Sequence, residues 1–165
     1  MSARGEDFAV LLAREVEAFQ REINLFPDDE TVWRTPEGVT NSAGNLALHI
    51  AGGLQYFVGG VLGGSGYVRN REAELGHRSG TRAELVAELG AALAAVRTVL
   101  PHLPDDVLGR EFPEPVMGHR LSANRFLIHL CAHAAYHLGQ AGYLRRVLTR
   151  DASSSGALPL KALAE

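Results

Sequence analysis

Apolar positions recur at spacings of three and four in four stretches of the chain, the period of an α-helix with one buried face. In the first, residues 6–26, Phe8, Leu11, Leu12, Val16, Phe19, Ile23 and Phe26 trace mostly one face, joined by Glu15. Pro27, in "FPDDE", cannot continue that helix. The second stretch starts near Asn41 or Ser42, both good N-caps. It runs through Leu46, His49, Ile50, Gly53, Leu54, Phe57 and Val61 to "GGSGY". The polar excursion "VRNREAELGHRSG" follows, with room for one short helical turn. The third helix begins after Ser79 or Thr81, where "TRAE" has the spacing of a capping box. Its apolar face is Leu85, Leu89, Ala92, Leu93, Val96 and Leu100, and Pro101 and Pro104 close it. A loop with a short turn near residues 105–108 leads to the fourth helix, capped by Ser122 and reaching about Thr149. No segment alternates as a strand and no repeat is found. The pattern predicts an all-α four-helix bundle over residues 1–150, with a long excursion between helices two and three. Residues 151–165 read as a C-terminal tail, with "RDASSSG" as its linker.

Three histidines interrupt the fourth apolar face, in "HLCAHAAYHLGQ", at positions 129, 133 and 137. Residues four apart share a helix face and sit about 6 Å apart along the axis, so two such histidines can hold one ion. The outer two are separated by about 12 Å of rise, so all three cannot. The core stripe selects the pair. Phe126, Leu130, His133, His137, Gln140, Leu144 and Val147 step alternately by four and three, as on a bundle seam. His129 lies off that seam, placed for the rim of a site or for contact with a ligand from behind. On the second helix His49 lies on a similar seam, with Gly53 one turn on, leaving room for a close helix approach or a pocket. Three neutral imidazoles on two facing helices, with one position open, form a catalytic-type site for Zn²⁺, Ni²⁺ or Fe²⁺. Asn45 and Gln140, each one turn or less from a candidate ligand, are placed to hydrogen-bond one. The competing explanation for each of these residues is a satisfied polar contact between helices.

Other chemistries drop out. There is no H-E-x-x-H, because Ala134 follows His133. Glu74 and His77 form one E-x-x-H, whereas a di-iron bundle needs two such motifs and further carboxylates. The fourth helix carries no Asp or Glu, so a carboxylate base has to come from elsewhere, with Glu111 and Glu114 as candidates. Cys131 sits about 200° around the helix from His133 and packs as a small hydrophobe. Arg145, Arg146 and Arg150 read as solvated cations at a helix C-terminus.

Composition narrows the setting. The chain has 165 residues, a net charge of −3 and no cluster of basic residues, so nothing marks a nucleic-acid partner. One cysteine excludes an internal disulfide and fits a reducing cytoplasm. The N-terminal "MSARGEDFAV" does not read as a secretory signal, and "LALHIAGGLQYFVGGVLGG" carries too many glycines and polar residues for a membrane span.

"NSAGNLALHIAGGLQYFVGGVLGG" and "LSANRFLIHLCAHAAYHLGQAGYLRRVL" resemble the two signatures of the DinB/YfiT-like superfamily. The order and spacing of the four helices resemble it too. The resemblance implies a four-helix bundle, often dimeric, with a divalent metal on His49, His133 and His137, the same three that the seam selects. It also implies a metal-dependent enzyme that activates a thiol or water. A transferase using a low-molecular-weight thiol with a small-molecule substrate ranks ahead of a hydrolase. The alanines and glycines of "AGGLQ" depart from the bulkier polar residues that relatives carry around the pocket. Spare apolar surface on helix one also suits a homodimer. The alternative from a different class is a non-catalytic dimeric bundle whose core cavity holds a small ligand.

Overall fold

The computed structural model describes residues 3–156 and 160–163. Four long helices dominate: α1 (Ala3–Asn24), α2 (Ala43–Leu54), α4 (Arg82–Val99) and α6 (Ala123–Thr149). Two short ones, α3 (Arg71–Gly76) and α5 (Asp105–Gly109), lie in the two long connections. Both α1 and α2 pack against α4 and α6, so they occupy opposite corners of a four-helix bundle. Among the described residues there is no strand, only isolated bridges Glu111–Ser122 and Val116–His119.

The starts of the helices follow local chemistry. Ser42 accepts from the Asn45 amide while the Asn45 side chain accepts from the Ser42 amide, a capping box. Thr81 and Glu84 build the same device on α4, and Ser122 caps α6. Beyond Leu54 the second helix widens into a π-helical segment, Gln55–Leu62, which the apolar pattern does not distinguish from α-helix. The core is drawn from all four corners, with Leu12, Phe19, Ile50, Leu89, Phe126 and Leu127 among its buried members.

The buried stripe of α6 departs from the predicted seam. Val147 is 61% exposed, while Ala134, Ala141 and Arg145 are buried. An α-helix drifts about 20° per heptad against a strict seven-residue repeat, so a seam that starts at Phe126 turns toward solvent within three heptads. The drift carries Arg145 inward, against its reading as a solvated cation. Its side chain is fully buried and donates through Nε to Glu22 Oε1 at 2.5 Å. It also donates to the Ser153 carbonyl, folding the start of the tail across the end of α6. Arg150, by contrast, is exposed and caps α6 in the left-handed region, with φ 57°.

Removing one partner of a buried ion pair strands the other charge, a loss of about 3–5 kcal/mol. Arg145→Ala is therefore expected to lower the urea midpoint strongly. Arg150→Ala is expected to stay within about 0.5 kcal/mol of wild type. Equal effects would put Arg145 back at the surface.

Candidate metal centre

His49 faces α6 from the middle of α2, and the residues that surround it come from the excursion. Asn70 caps α3 by accepting from the Ala73 amide, which fixes the helix that carries Glu74. Asn45 then ties α3 to α2, donating through Nδ2 to the carbonyls of Glu74 at 3.0 Å and His77 at 2.8 Å. Glu74 is 6% exposed and places Oε2 3.0 Å from His49 Nδ1. Arg69 grips the same carboxylate at both oxygens, at 2.7 and 2.8 Å. Burial pushes the Glu74 carboxyl up, but the hydrogen bonds from His49 and Arg69 and the Arg69 charge outweigh it and hold the group below its ordinary range.

An ionised carboxylate only accepts, so His49 Nδ1 carries a proton toward it, and in the neutral ring that leaves Nε2 with its lone pair. Arg69 Nη2 also lies 3.2 Å from that Nδ1, yet its hydrogens go to Glu74 Oε2 and the His49 carbonyl. On α6, Gln140 Oε1 lies 2.7 Å from His137 Nδ1, which leaves His137 Nε2 without a proton as well. His137 Nε2 faces His133 Nε2 at 2.9 Å. His49 meets both rings edge-on, with centroids 5.1 Å from His133 and 5.4 Å from His137.

One ligand nitrogen from each of the three histidines lies within 4.8 Å of the others, so the group could hold a metal ion. The donor set suits one. Nδ1 of His49 and of His137 is taken up by a hydrogen bond, and burial keeps the α6 pair neutral. The His133 imidazole is lowered to about 3 by burial, helped by His137 and His49. His137 is lowered by burial too, against the opposing hydrogen bond to Gln140. Neutral imidazoles converging on a half-buried point are what Zn²⁺, Ni²⁺ or Fe²⁺ takes as ligands.

The other predicted residues fall around this cluster. His129 is exposed and stacks on His133 at 5.5 Å, outside the group of three. Gln140 bonds a cluster member directly. Asn45 does not: its amide is taken up by the Ser42 cap and the backbone of the excursion, so it acts on where Glu74 stands. Glu74 and Arg69 were missed. Glu74 lies 25 residues from His49, and the one motif containing it, with His77, points to a different chemistry. Of the two carboxylates left unplaced by the sequence, Glu111 pairs with Arg120 at the surface, and Glu114 accepts from the Tyr56 hydroxyl at 3.0 Å. Cys131 is on another face of α6, its thiol pushed up to about 11 by burial.

A pocket of about 350 Å³ opens onto His49 and His133, walled by Gly53, Phe57, Val116 and Met117 and bearing Glu114 and Arg71. A second, of about 750 Å³, reaches His137 and Gln140 from the other side and has no charged wall. No helix among the described residues is long and apolar enough to cross a membrane.

Fold and cluster together define a helical-bundle protein with a three-histidine site of metal-binding type. The family model for the DinB superfamily matches residues 11–141, and the chain belongs to that superfamily. No match is found among curated proteins.

The folded value of His133 lies below its ordinary 6.5, so the unfolded chain takes up a proton that the folded chain refuses. Stability from this group is complete above about pH 6.5 and falls as the pH drops toward about 3. Glu74, lowered from 4.5, adds its own loss only at the acid end of that window. In chelator-treated protein, denaturation between pH 6.5 and 4.5 is expected to show a declining stability that His133→Leu flattens. An unchanged slope in the variant would mean that His133 is not held neutral by its surroundings.

Proposed function

We propose that this protein is an enzyme dependent on a divalent transition metal, held by His49, His133 and His137. The observation that carries the reading is the convergence of three imidazoles, with one ligand nitrogen from each within 4.8 Å of the others, at the wall of a pocket. An ion bound there would supply Lewis acidity, drawing a thiol or water in the open position toward its anion.

The surrounding residues favour an organic co-substrate over water alone. The pocket beside His49 and His133 is about 350 Å³, against about 30 Å³ for one water. Much of its wall is apolar, from Ile50, Leu54, Phe57, Val116 and Met117, which holds a small molecule and excludes solvent. Glu114 is the carboxylate among the described residues lining it, placed by the Tyr56 hydroxyl to accept a proton. Cys131 faces elsewhere with its thiol protonated, so a reacting thiol would arrive as a substrate. Transfer to or from a low-molecular-weight thiol is therefore placed ahead of hydrolysis.

Elemental analysis of protein purified without a nickel column is expected to find about one equivalent of transition metal. His133→Ala should lose it while keeping its helical circular dichroism, and His129→Ala should retain it. In cobalt-substituted protein, a low-molecular-weight thiol is expected to bring in a sulfur-to-metal charge-transfer band. Protein that takes up no Zn²⁺, Ni²⁺ or Fe²⁺ would return the histidines to ordinary polar contacts and favour a ligand-binding bundle without catalysis. Metal binding without the thiol band would favour hydrolysis.

A further inference from the structure

The geometry points to Glu74 as a positioning residue for the metal, acting through His49; the inference rests on the metal-binding reading above. An imidazole reaches an ion correctly only when the right nitrogen is bare and the ring faces the right way. The usual device is a hydrogen bond at the other nitrogen, and its loss costs about 10–100-fold in metal affinity. His137 has that bond from Gln140 on its own helix. His49 has no such neighbour on α2. Its partner comes from the excursion, as the carboxylate of Glu74 3.0 Å from Nδ1.

Three features aim that carboxylate. Arg69 holds both oxygens, so the group cannot rotate without breaking two charge-assisted bonds. The Arg69 guanidinium is itself seated over the Phe57 ring, 5.5 Å from its centroid. Gly52 leaves the space: a Cβ there would lie 2.1 Å from Glu74 Oε1. Glycine in a helix interior is unfavourable, and at this position the close approach of a buried carboxylate requires it. A carboxylate on Nδ1 also makes the imidazole a stronger donor at Nε2. In this assignment the excursion is part of the metal site.

The test measures zinc affinity by competition with a chromogenic chelator in wild type, Glu74→Met, and the double variant Arg69→Met with Glu74→Met. The double variant removes both charges together, so no buried charge is left alone. Both variants are expected to bind zinc about 10–100-fold more weakly than wild type. In metal-free protein, long-range proton–nitrogen spectra should show His49 protonated at Nδ1 in wild type. In both variants they should show it drifting to the Nε2-protonated form, a change that a merely structural residue would not cause. Unchanged affinity or an unchanged tautomer in a double variant that stays helical overturns the role of Glu74 and leaves the metal reading standing. Loss of helicity in the double variant overturns it in favour of a structural ion pair. Wild-type protein that takes up no ion overturns both readings.

Discussion

Everything at the centre of this bundle follows from placing imidazoles where water cannot easily solvate their charge. Where α2 meets α6, burial holds the two α6 rings neutral, and a neutral imidazole has one donor and one acceptor to satisfy. Gln140 takes the donor of His137 and Glu74 that of His49, and two acceptors are left facing inward. His137 Nε2 faces His133 Nε2 at 2.9 Å, and no side chain among the described residues is bonded to His49 Nε2. The three histidines therefore form a group that could hold an ion.

The four helices were legible because each is written in an apolar face with a cap, a stop or both. Ser42, Thr81 and Ser122 mark helix starts with residues whose side chains can only do that work locally. His133 and His137 were legible because a four-residue spacing fixes their relation whatever the rest of the chain does. His49 could be joined to them because bundle topology places seam against seam. What could not be read depends on contacts between distant segments. Glu74 meets His49 only when α3 folds back on α2, and the alternation of charge in "NREAELGH" looks like any solvated turn. Arg145 sits in a run of arginines at a helix end, and its burial follows from the slow rotation of α6 past a heptad frame. Glu114 was visible as a residue but not as a neighbour, since a loop of twelve or so positions has no period to place it.

That rotation also explains the accessibility of the site. Were the seam to follow a strict heptad, His133 and His137 would lie at the centre of the packed face. On the observed helix the buried line runs through Leu127, Leu130, Ala134 and Ala141, and the two histidines stand beside it, half-buried. They are dry enough to stay neutral and near enough to the surface for a pocket to reach them. The same helix therefore serves the core with one line of residues and the site with the next.

The charge around the cluster bears on what an ion there could do. The two α6 imidazoles, held neutral by burial, contribute none, and Glu74 is matched by Arg69 at both oxygens. A divalent ion would keep nearly its full charge toward whatever fills the open position, unlike one ringed by thiolates, which would be largely neutralised. In the proposed enzyme such a centre would favour an anion as its last ligand, and so would lower the pKa of a bound thiol or water. Glu114 is the acidic group on the wall of the adjoining pocket, and it is engaged with a tyrosine hydroxyl instead of the histidines. In the proposed enzyme the arrangement would separate the two tasks that activating a protic ligand requires: a cationic centre to hold the anion, and a carboxylate apart from it to receive the proton.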